Sequence, residues 1–546
     1  MKEAFLNALP GRHWTDFPFV LFLIAGSLVS IFALVGLDFS YFPGEHGDTR
    51  FNMYILEHGF RFITGQIESF WDASFFYPAQ HVIAYSDNLI GNLPLYVPLR
   101  LLGLSMERSF QLWFVICMTL NYVSAYWVLR KFGLISYSAA IGAFIFAFSL
   151  ALGFQLHHSQ LLPRYFVPLL FYYLWHYSNT FSKKFFFMAL AWWTIGLYSS
   201  PYLAFLSIVP AAVFFLTALF SLRHQHLLLA SLRRHRLYYL SVIALVVFLA
   251  LVLLIPYVRF GLHGGWTYDG IADSIPHVTS YLVSVPNSFY GILTQPIRDS
   301  FPNWQLHVLF MGLVTSSLLM IGIAYFAYRK IKKIRNPNYI LFNCVVFSQL
   351  ITFLFFTRFG DFSMYRILHL LPGFSSIRDV ARIINIELFT IGFIVASVVQ
   401  FLIHTPTASQ ISKRSYSTIG LVIASIAGLV LVVEHYIPYQ YSIRLPMTEC
   451  RQRIETLQAK VKPQIVKGKA NVMAFLPENP SDAGYALQID AMLVAQRLNI
   501  KTVNGYSAYP PLEYGAFWDK LTEENFKLWQ EKYPAYFKDV NLIIVR

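Results

Sequence analysis

Acidic side chains are concentrated in one polar stretch of an otherwise apolar chain. Between Tyr41 and Arg100 the sequence reads PGEHGDTRFNMYILEHG, then FWDASFFYP and YSDNLIGNLPLY. Its carboxylates include Glu45, Asp48 and Asp87. A carboxylate at a membrane surface takes a proton from an acceptor hydroxyl group or holds a divalent cation through its oxygen atoms. The stretch therefore indicates acid–base or metal chemistry.

Two of these acids also have a structural interpretation. Asp48 is placed to cap the N-terminus of a short helix in which Phe51 and His58 share a face and which Gly59 ends. Asp87 precedes a Pro-interrupted apolar segment and fits a turn or cap. Because a capping aspartate keeps an oxygen free, the pattern leaves both interpretations open.

A second polar segment, LHHSQLLPRY at residues 156–165, adds hydrogen-bonding groups. It offers His157, His158, Gln160 and Arg164. Adjacent histidines on a helix point in different directions, so a two-histidine metal site is not predicted. We expect this segment to bind substrate through hydrogen bonds.

A third segment, TRFGDFSMYRILHLLPGFSSIRDVARI at residues 357–383, supplies arginines, among them Arg358, Arg378 and Arg382. Arginines at headgroup depth pair with lipid phosphates. The guanidinium group also binds phosphate with two parallel hydrogen bonds, and residues four apart lie on one face of a helix. Arg378 and Arg382 therefore predict a site for the phosphate of a lipid-linked substrate.

The composition shows what must position these groups. The chain has 546 residues, of which 56% are hydrophobic and 13% charged, which is typical of a polytopic membrane protein. The net charge of +14 comes from short basic clusters between apolar stretches and does not indicate nucleic-acid binding. Three scattered cysteines predict neither a disulfide framework nor a zinc site.

The apolar stretches are long enough to predict about eleven transmembrane helices. They lie at residues 17–37, 110–128, 139–154, 161–177, 185–197, 202–220, 238–258, 306–328, 339–356, 383–403 and 418–436. The acids within these stretches are Glu387 and Glu434. Because ion-coupled transporters need ionisable groups at mid-membrane depth, a transporter is disfavoured.

Basic clusters on alternate connections predict the orientation. These clusters are Lys2 with Arg12, Arg130 with Lys131, Lys183 with Lys184, Arg223 with residues 233–236, residues 329–335, and Lys413 with Arg414. The positive-inside rule then places the N-terminus in the cytoplasm and the C-terminus outside. The chain lacks an Asn-X-Ser/Thr acceptor, which favours a bacterial inner membrane and a function in the cell envelope.

The last hundred residues change in character. From Pro438 onward the predicted strands NVMAFLP, KTV and NLIIVR alternate with the predicted helices AGYALQIDAMLVAQRL and EENFKLWQEKYPAYF. We therefore predict a transmembrane domain at residues 1–437, with a large first outer loop at 38–108, and an extracytoplasmic α/β domain at 438–546.

Several of these segments resemble the GT-C superfamily of polytopic glycosyltransferases, near the protein O-mannosyltransferases and the lipid A aminoarabinose transferases. The resemblance is carried by the acidic motif EHGD in the first outer loop, by the helix count and by the outward C-terminal domain. HHSQLLPRYFVPL, GFSSIRDVARI and VNGYSAYPP look like segments of bacterial membrane proteins placed near that superfamily. It implies an α-helical, GT-C-like membrane domain with a small C-terminal α/β domain.

The resemblance also implies a reaction. A hexosyltransferase of this type moves a sugar, with inversion, from a polyprenyl-phosphate donor to a lipid, glycan or protein acceptor on the outer face. Asp48 is then the catalytic base or the carboxylate that organises a cation, Mg²⁺ or Mn²⁺, and Glu45 or Asp87 assists it. Arg378 and Arg382 stabilise the departing lipid phosphate. A non-catalytic scaffold or degenerate transferase, and a lipid or polysaccharide transporter, are the alternatives.

Overall fold

The computed structural model describes residues 16–261, 265–334, 336, 339–404, 418–437, 443–477, 484–512 and 514–546. Helices of nine or more residues are numbered along the chain. They are α1 (Phe17–Val35), α2 (Asp48–Ile63), α3 (Leu93–Leu101), α4 (Met106–Lys131), α5 (Ser136–Phe148), α6 (Phe166–Thr180), α7 (Lys183–Ser199), α8 (Pro201–Ser221), α9 (Gln225–Arg234), α10 (Arg236–Gly261), α11 (Leu313–Ile331), α12 (Ile340–Phe356), α13 (Ile384–Ile403), α14 (Thr418–Glu434), α15 (Met447–Val461), α16 (Gly484–Leu498) and α17 (Glu523–Lys532). The strands are β1 (Tyr41–Pro43), β2 (Arg358–Phe359), β3 (Phe362–Ser363), β4 (Arg444–Pro446), β5 (Asn471–Phe475), β6 (Lys501–Thr502) and β7 (Asn541–Val545).

Apolar helices confirm an integral membrane protein. Each of the stretches predicted to span the membrane overlaps one of the helices α1, α4 to α8 and α10 to α14. Within the described ranges, five helical segments are long and apolar enough to cross a bilayer. They are Phe17–Val35, Met106–Lys131, Pro201–Ser221, Arg236–Val258 and Val380–Ile403. Lys2, Arg12, Lys413 and Arg414 lie outside the described residues, and the orientation stays a prediction.

Helix α13 lies at the centre of the bundle and is almost entirely buried. It packs against α5, α11, α12 and α14. A Cβ atom on Gly142 would lie 2.7 Å from the carbonyl oxygen of Gly392, and one on Gly392 would lie 2.5 Å from the carbonyl oxygen of Gly142. Glycine at both positions therefore lets the backbones of α5 and α13 touch, as small residues do between membrane helices.

Helix α2 lies in the polar loop at residues 38–108 and extends further than the sequence predicted. It continues past Gly59 to Ile63. A Cβ atom at Gly59 would lie 2.5 Å from Cδ2 of Leu93, the first residue of α3. Gly59 therefore permits close packing of α3 and does not end α2, which corrects the predicted helix end.

The C-terminal segment is built on a small parallel sheet in the order β6-β5-β7. Helix α16 connects β5 to β6, as parallel strands require a crossover connection, and it packs against α2. The predicted strands and helices of this region are confirmed. The predicted domain boundary at Pro438 falls outside the described residues and stays a prediction.

Backbone hydrogen bonds join this segment to the polar loop at residues 38–108. Strand β1 pairs antiparallel with β4. The backbone N–H of Tyr77 donates to the carbonyl oxygen of Thr502 at 3.0 Å, and that of Thr502 donates to Ser74 at 2.7 Å. Because these bonds satisfy the polar backbone of an irregular segment, the two regions stabilise each other.

A buried ion pair strengthens the same interface. Arg50 of α2 donates to the carboxylate of Asp490 of α16 at 2.5 Å, and both side chains are almost completely inaccessible to solvent. Arg453 of α15 donates to the other oxygen of that carboxylate at 2.6 Å. The two guanidinium groups satisfy a carboxylate that would otherwise be costly to bury.

Candidate active site

Asp48 begins helix α2, but it does not cap the helix. Gly47 occupies the capping position, and no side chain caps the helix there. The two oxygens of Asp48 instead contact groups from distant parts of the chain: His158 through Nδ1 at 2.5 Å, and Tyr506, whose hydroxyl donates at 2.6 Å. This corrects the capping interpretation and makes Asp48 the centre of a polar cluster.

The turn before α2 is shaped by its glycine and threonine. Gly44 has φ +102°, and a Cβ atom there would lie 2.0 Å from Oγ1 of Thr49. The hydroxyl of Thr49 donates to the backbone carbonyl of His157 at 2.7 Å. The turn thereby ties the start of α2 to the histidine segment, and Asp48 faces it.

The segment with His157 and His158 is formed by turns and short 3-10 helix, not by a regular helix. The two imidazole rings therefore lie side by side, with centroids 4.1 Å apart, which corrects the expectation that they diverge. Gln160 donates to Asp48 at 3.5 Å and accepts a hydrogen bond from Asn52 at 2.7 Å. Asn52 of helix α2 thus fixes the position of Gln160 relative to Asp48.

Arg164 takes no part in this cluster. It is buried, donates to the carbonyl of Ala147 and the side chain of Asn385, and stacks over Phe146. Its contacts lie at the junction of α5, α6 and α13. The residue therefore has a structural role in the bundle.

The carboxylate of Asp48 is held in its ionised form. Burial on its own would raise the pKa of Asp48, but the hydrogen bond and charge of His158 and the hydroxyl of Tyr506, with the positive charge of Arg382, outweigh burial. Together they keep the pKa of Asp48 well below its usual range. Asp48 is therefore negatively charged throughout the physiological pH range.

Asp87 and Glu45 behave in the opposite way. Burial, with a smaller contribution from the negative charge of Asp48, raises the pKa of Asp87 to about 6, although Arg382 opposes the shift. The pKa of Glu45 is also raised, first by burial and then by Asp48. The cluster thus combines a permanently ionised acid with acids that take up a proton more readily.

The structure separates the three arginines that were predicted to bind substrate. Arg382 is buried, pairs with Asp379 at 3.1 Å, and stacks over Tyr202. Arg378 is exposed and stacks over Trp266, with no carboxylate within 4.0 Å in the described part of the chain. Arg358 pairs with Asp273 and Asp361.

The predicted helical face of Arg378 and Arg382 does not exist. The short 3-10 helix that leads into α13 starts at Val380, so Arg378 lies before it. Because the backbone is not helical between the two residues, their side chains reach different environments. Arg382 acts on Asp48 and Asp87 electrostatically, and Arg378 acts on Tyr506.

Tyr506 is the site residue that sequence reasoning did not single out. It lies in VNGYSAYPP, stacks on Trp518 with an interplanar angle of 18°, and contacts Phe51 edge to face. Burial and the charge of Asp48 raise its pKa, so its hydroxyl stays protonated and remains a donor. Its position after a predicted strand, in a segment rich in tyrosine, was the only available signal.

The residues around Asp48 do not form a ready cation site. Within the described ranges no three His, Cys, Asp or Glu side chains converge as metal ligands. Both oxygens of Asp48 already contact protein groups, His158 and Tyr506. A divalent cation normally takes several oxygen ligands, which these residues do not supply.

Replacing Tyr506 with phenylalanine tests its contact with Asp48. We expect Tyr506→Phe to slow substrate turnover by about tenfold or more, because a hydrogen bond to a charged group contributes about 1.5–3 kcal/mol. The measurement is the initial rate at saturating substrate. Tyr485→Phe, which removes a neighbouring hydroxyl that does not contact Asp48, is the matched control. Equal rates for both variants would contradict this role.

Comparison with known proteins relates the chain to solved membrane proteins. No family model matches the sequence, and no curated protein matches it. The oligosaccharyltransferase of Archaeoglobus fulgidus in its apo form is similar, with a TM-score of 0.53 at 13% identity over 95% of this chain and 69% of that one. Its complex with Zn and sulfate gives a TM-score of 0.50 at 12% identity over 90% of this chain and 62% of that one.

A third solved structure is ArnT from Cupriavidus metallidurans bound to undecaprenyl phosphate, with a TM-score of 0.41 at 11% identity over 90% of both chains. At identities this low, similarity between structures shows the architecture alone, and the chemistry has to be argued from the residues of this chain. The similarity to oligosaccharyltransferase extends over nearly the whole of this chain, bundle and C-terminal segment alike. The protein therefore has a membrane fold similar to that of this oligosaccharyltransferase.

Proposed function

We propose that the protein is a glycosyltransferase that moves a sugar from a polyprenyl-phosphate donor to a hydroxyl group of an acceptor. The observation that carries this proposal is the position of Asp48, whose carboxylate is ionised and fixed by His158 and Tyr506 beside Asp87 and Arg382. Such a cluster suits a reaction in which a proton leaves a hydroxyl group and charge moves to a phosphate.

The proposed reaction is a single displacement. The acceptor oxygen attacks the anomeric carbon, and the bond from that carbon to the phosphate oxygen breaks. The bonding electron pair leaves with polyprenyl phosphate, the acceptor proton passes to a carboxylate, and the sugar inverts its configuration. The positive charge that develops on the sugar ring favours a nearby ionised carboxylate.

The two aspartates divide these tasks according to their environments. A pair of acids whose pKa values are pushed apart assigns the roles of proton acceptor and charge stabiliser. Asp87, with a pKa raised to about 6 by burial, is the better proton acceptor near neutral pH. Asp48 remains ionised and orients the acceptor hydroxyl, and Glu45 assists from the same turn. This departs from the sequence-based assignment of Asp48 as the base.

The departing phosphate requires positive charge at the edge of the cluster. Arg378 is exposed and acts electrostatically on Tyr506 and Tyr509, so its guanidinium group is available to bind the phosphate. Arg382 is engaged by Asp379 and serves mainly to balance the two aspartates. We therefore assign phosphate binding to Arg378 and support to Arg382.

His157 is available to bind a sugar hydroxyl. Its Nδ1 is buried and has no hydrogen-bond partner among the described residues. Burial lowers the pKa of His157 to about 3, with a further contribution from neighbouring His158, so the imidazole is neutral. A neutral imidazole nitrogen accepts or donates one hydrogen bond, which fits a hydroxyl group of the donor or the acceptor.

The experiment is a release assay on the purified chain. A panel of polyprenyl-phosphate sugars is incubated with the wild type and with Asp87→Asn, and free polyprenyl phosphate is measured. Release by the wild type that the variant lacks supports the transferase and identifies the sugar. Movement of intact donor across a vesicle membrane without release favours the transporter. Neither release nor movement, with acceptor extracts present, favours the scaffold.

The same assay tests the predicted cation, Mg²⁺ or Mn²⁺, at Asp48. We expect release to persist after treatment with a chelator, because protein groups already contact both oxygens of Asp48. Loss of release with the chelator, restored by Mg²⁺ or Mn²⁺, would show that a cation displaces these contacts. The comparison requires only the wild type.

The pH dependence follows from Asp87. Its pKa is raised to about 6, so the carboxylate gains a proton, and stops acting as a base, as the pH falls through that value. We expect kcat/KM to rise between about pH 5 and pH 7 and then to level. Asp48, whose pKa is held low, stays ionised over this range and does not change the rate with pH. A rate that is flat from pH 5 to pH 7 would remove Asp87 from proton transfer.

We further propose that the site faces away from the cytoplasm in a bacterial inner membrane. The basic connections between apolar helices, including residues 329–335, support this orientation. It places the first outer loop and the C-terminal segment on the same side. Cysteine accessibility at position 273 in intact cells, compared with position 332, tests it.

A further inference from the structure

A second polar cavity lies on the side of helix α2 that faces the C-terminal segment. Its volume is about 230 Å³, and Tyr54, His58 and Arg61 of α2 line one wall. These residues lie two to four turns from Asp48 along the helix, roughly 10–20 Å away. The cavity is therefore separate from the cluster around Asp48.

The cavity has an excess of positive charge. Arg61, Lys469 and Lys501 line it, and Asp72 is its only carboxylate among the described residues. The carboxylate oxygens of Asp72 accept hydrogen bonds from the backbone N–H of His81 and the hydroxyl of Ser69. Asp72 therefore offsets one of the three positive charges, and the remaining excess favours a ligand with an anionic group.

The cavity also contains a buried hydrogen-bond acceptor without a partner. Gln496 lines it with a side chain that is only 4% exposed. Its amide nitrogen donates to the carbonyl oxygen of Tyr54 at 3.1 Å, which fixes the amide orientation, and its Oε1 has no partner in the described structure. An unsatisfied buried acceptor is costly, so a donor on the ligand is favoured.

A hydroxyl group is the donor that fits these surroundings. An ammonium group would be repelled by Arg61 and Lys501, whereas a hydroxyl group donates to Gln496 without a charge. Burial lowers the pKa of His58 to about 4, so its imidazole is neutral and offers a further polar contact. Pockets for drug-sized ligands run from about 300 to 1,000 Å³, so this smaller cavity suits a single ring.

We propose that this cavity is a saccharide-binding site for a sugar that carries an acidic group. The hydroxyl groups of the ring donate to Gln496, and the anionic group binds Lys469 and Lys501. Arg61, which already donates to the backbone carbonyl of Gln496 and the side chain of Asn499, adds positive charge nearby. This site is independent of the reaction at Asp48. It gives the protein a second contact with an acidic glycan, held between α2 and the edge of the sheet.

The test measures binding to the full chain in detergent by calorimetry. The probes are glucuronate, glucose and inorganic phosphate, and the variants are Lys469→Gln/Lys501→Gln and Gln496→Leu. We expect glucuronate to bind more tightly than glucose or phosphate, and the double lysine variant to bind it about tenfold more weakly or worse. Gln496→Leu should weaken glucose and glucuronate alike, but not phosphate.

Two results would overturn the proposal. One is equal binding of glucuronate by the wild type and the double lysine variant, with thermal unfolding showing that both are folded. The other is phosphate binding as tight as glucuronate binding, which would identify a simple anion site. Asp48→Asn should bind glucuronate like the wild type, so failure of the transferase proposal and failure of this one are distinguishable.

Discussion

Asp48→Asn is expected to lower the rate of polyprenyl phosphate release by about a thousandfold, at the upper end of the range of about 10²–10³ for the loss of a group that stabilises charge in the transition state. The amide is neutral, so it neither stabilises positive charge on the sugar nor holds the hydrogen bonds from His158 and Tyr506 in the same way. The measurement is a single-turnover release assay with the donor that the wild type accepts.

The matched control for this variant is Asp273→Asn. Asp273 lies in another loop, is largely exposed, and pairs with Arg358 rather than with the cluster. We expect its rate to remain within about twofold of the wild type, since exposed ion pairs contribute little. An Asp48→Asn enzyme that matches this control would remove Asp48 from the site.

Arg50→Met is expected to loosen the C-terminal segment from α2. Breaking a buried ion pair by removing one partner costs about 3–5 kcal/mol, and we expect the lower end because Asp490 keeps Arg453. A cost of about 3 kcal/mol raises the population of the open form about a hundredfold. Limited proteolysis of the C-terminal segment, at low protease concentration, measures this population.

Two further variants separate charge from packing at this interface. Arg453→Met removes the more exposed partner of Asp490, so we expect a smaller increase in cleavage. Arg50→Met/Asp490→Leu removes the buried charge as well, and replacing such a pair with apolar residues is often close to neutral. Cleavage of the double variant at the rate of Arg50→Met would show that shape, and not charge, holds the interface.

The sequence was sufficient for the membrane helices, and it indicated Asp48 as a candidate site residue. A stretch of about twenty apolar residues spans a bilayer whatever its neighbours are, so the predicted stretches contain helices. Asp48 was a candidate because it lies in a polar loop between apolar stretches, although its position before a helix also allowed a capping role. Its pairing with His158 was consistent with the predicted placement of both segments on the outer side.

Local sequence patterns could not predict the contacts between residues that are far apart in the chain. Tyr506 lies 458 residues from Asp48, and Arg50 lies 440 from Asp490, so no spacing rule joins them. The spacing of Arg378 and Arg382 was misleading, because it indicates one face only where the backbone is helical. The division of roles between the two aspartates depends on burial, which composition does not reveal.

The hydrogen bond between Tyr506 and Asp48 joins residues that are synthesised far apart in time, so it can form only after the C-terminal segment has been made. The ribosome adds about 5–20 residues per second, so roughly 20–90 s separate the emergence of the acid from that of its partner. Until Asp490 is synthesised, Arg50 of α2 has no carboxylate from the C-terminal segment to neutralise it. A nascent chain stalled anywhere before residue 506 therefore lacks the hydroxyl group that holds Asp48 in the folded protein.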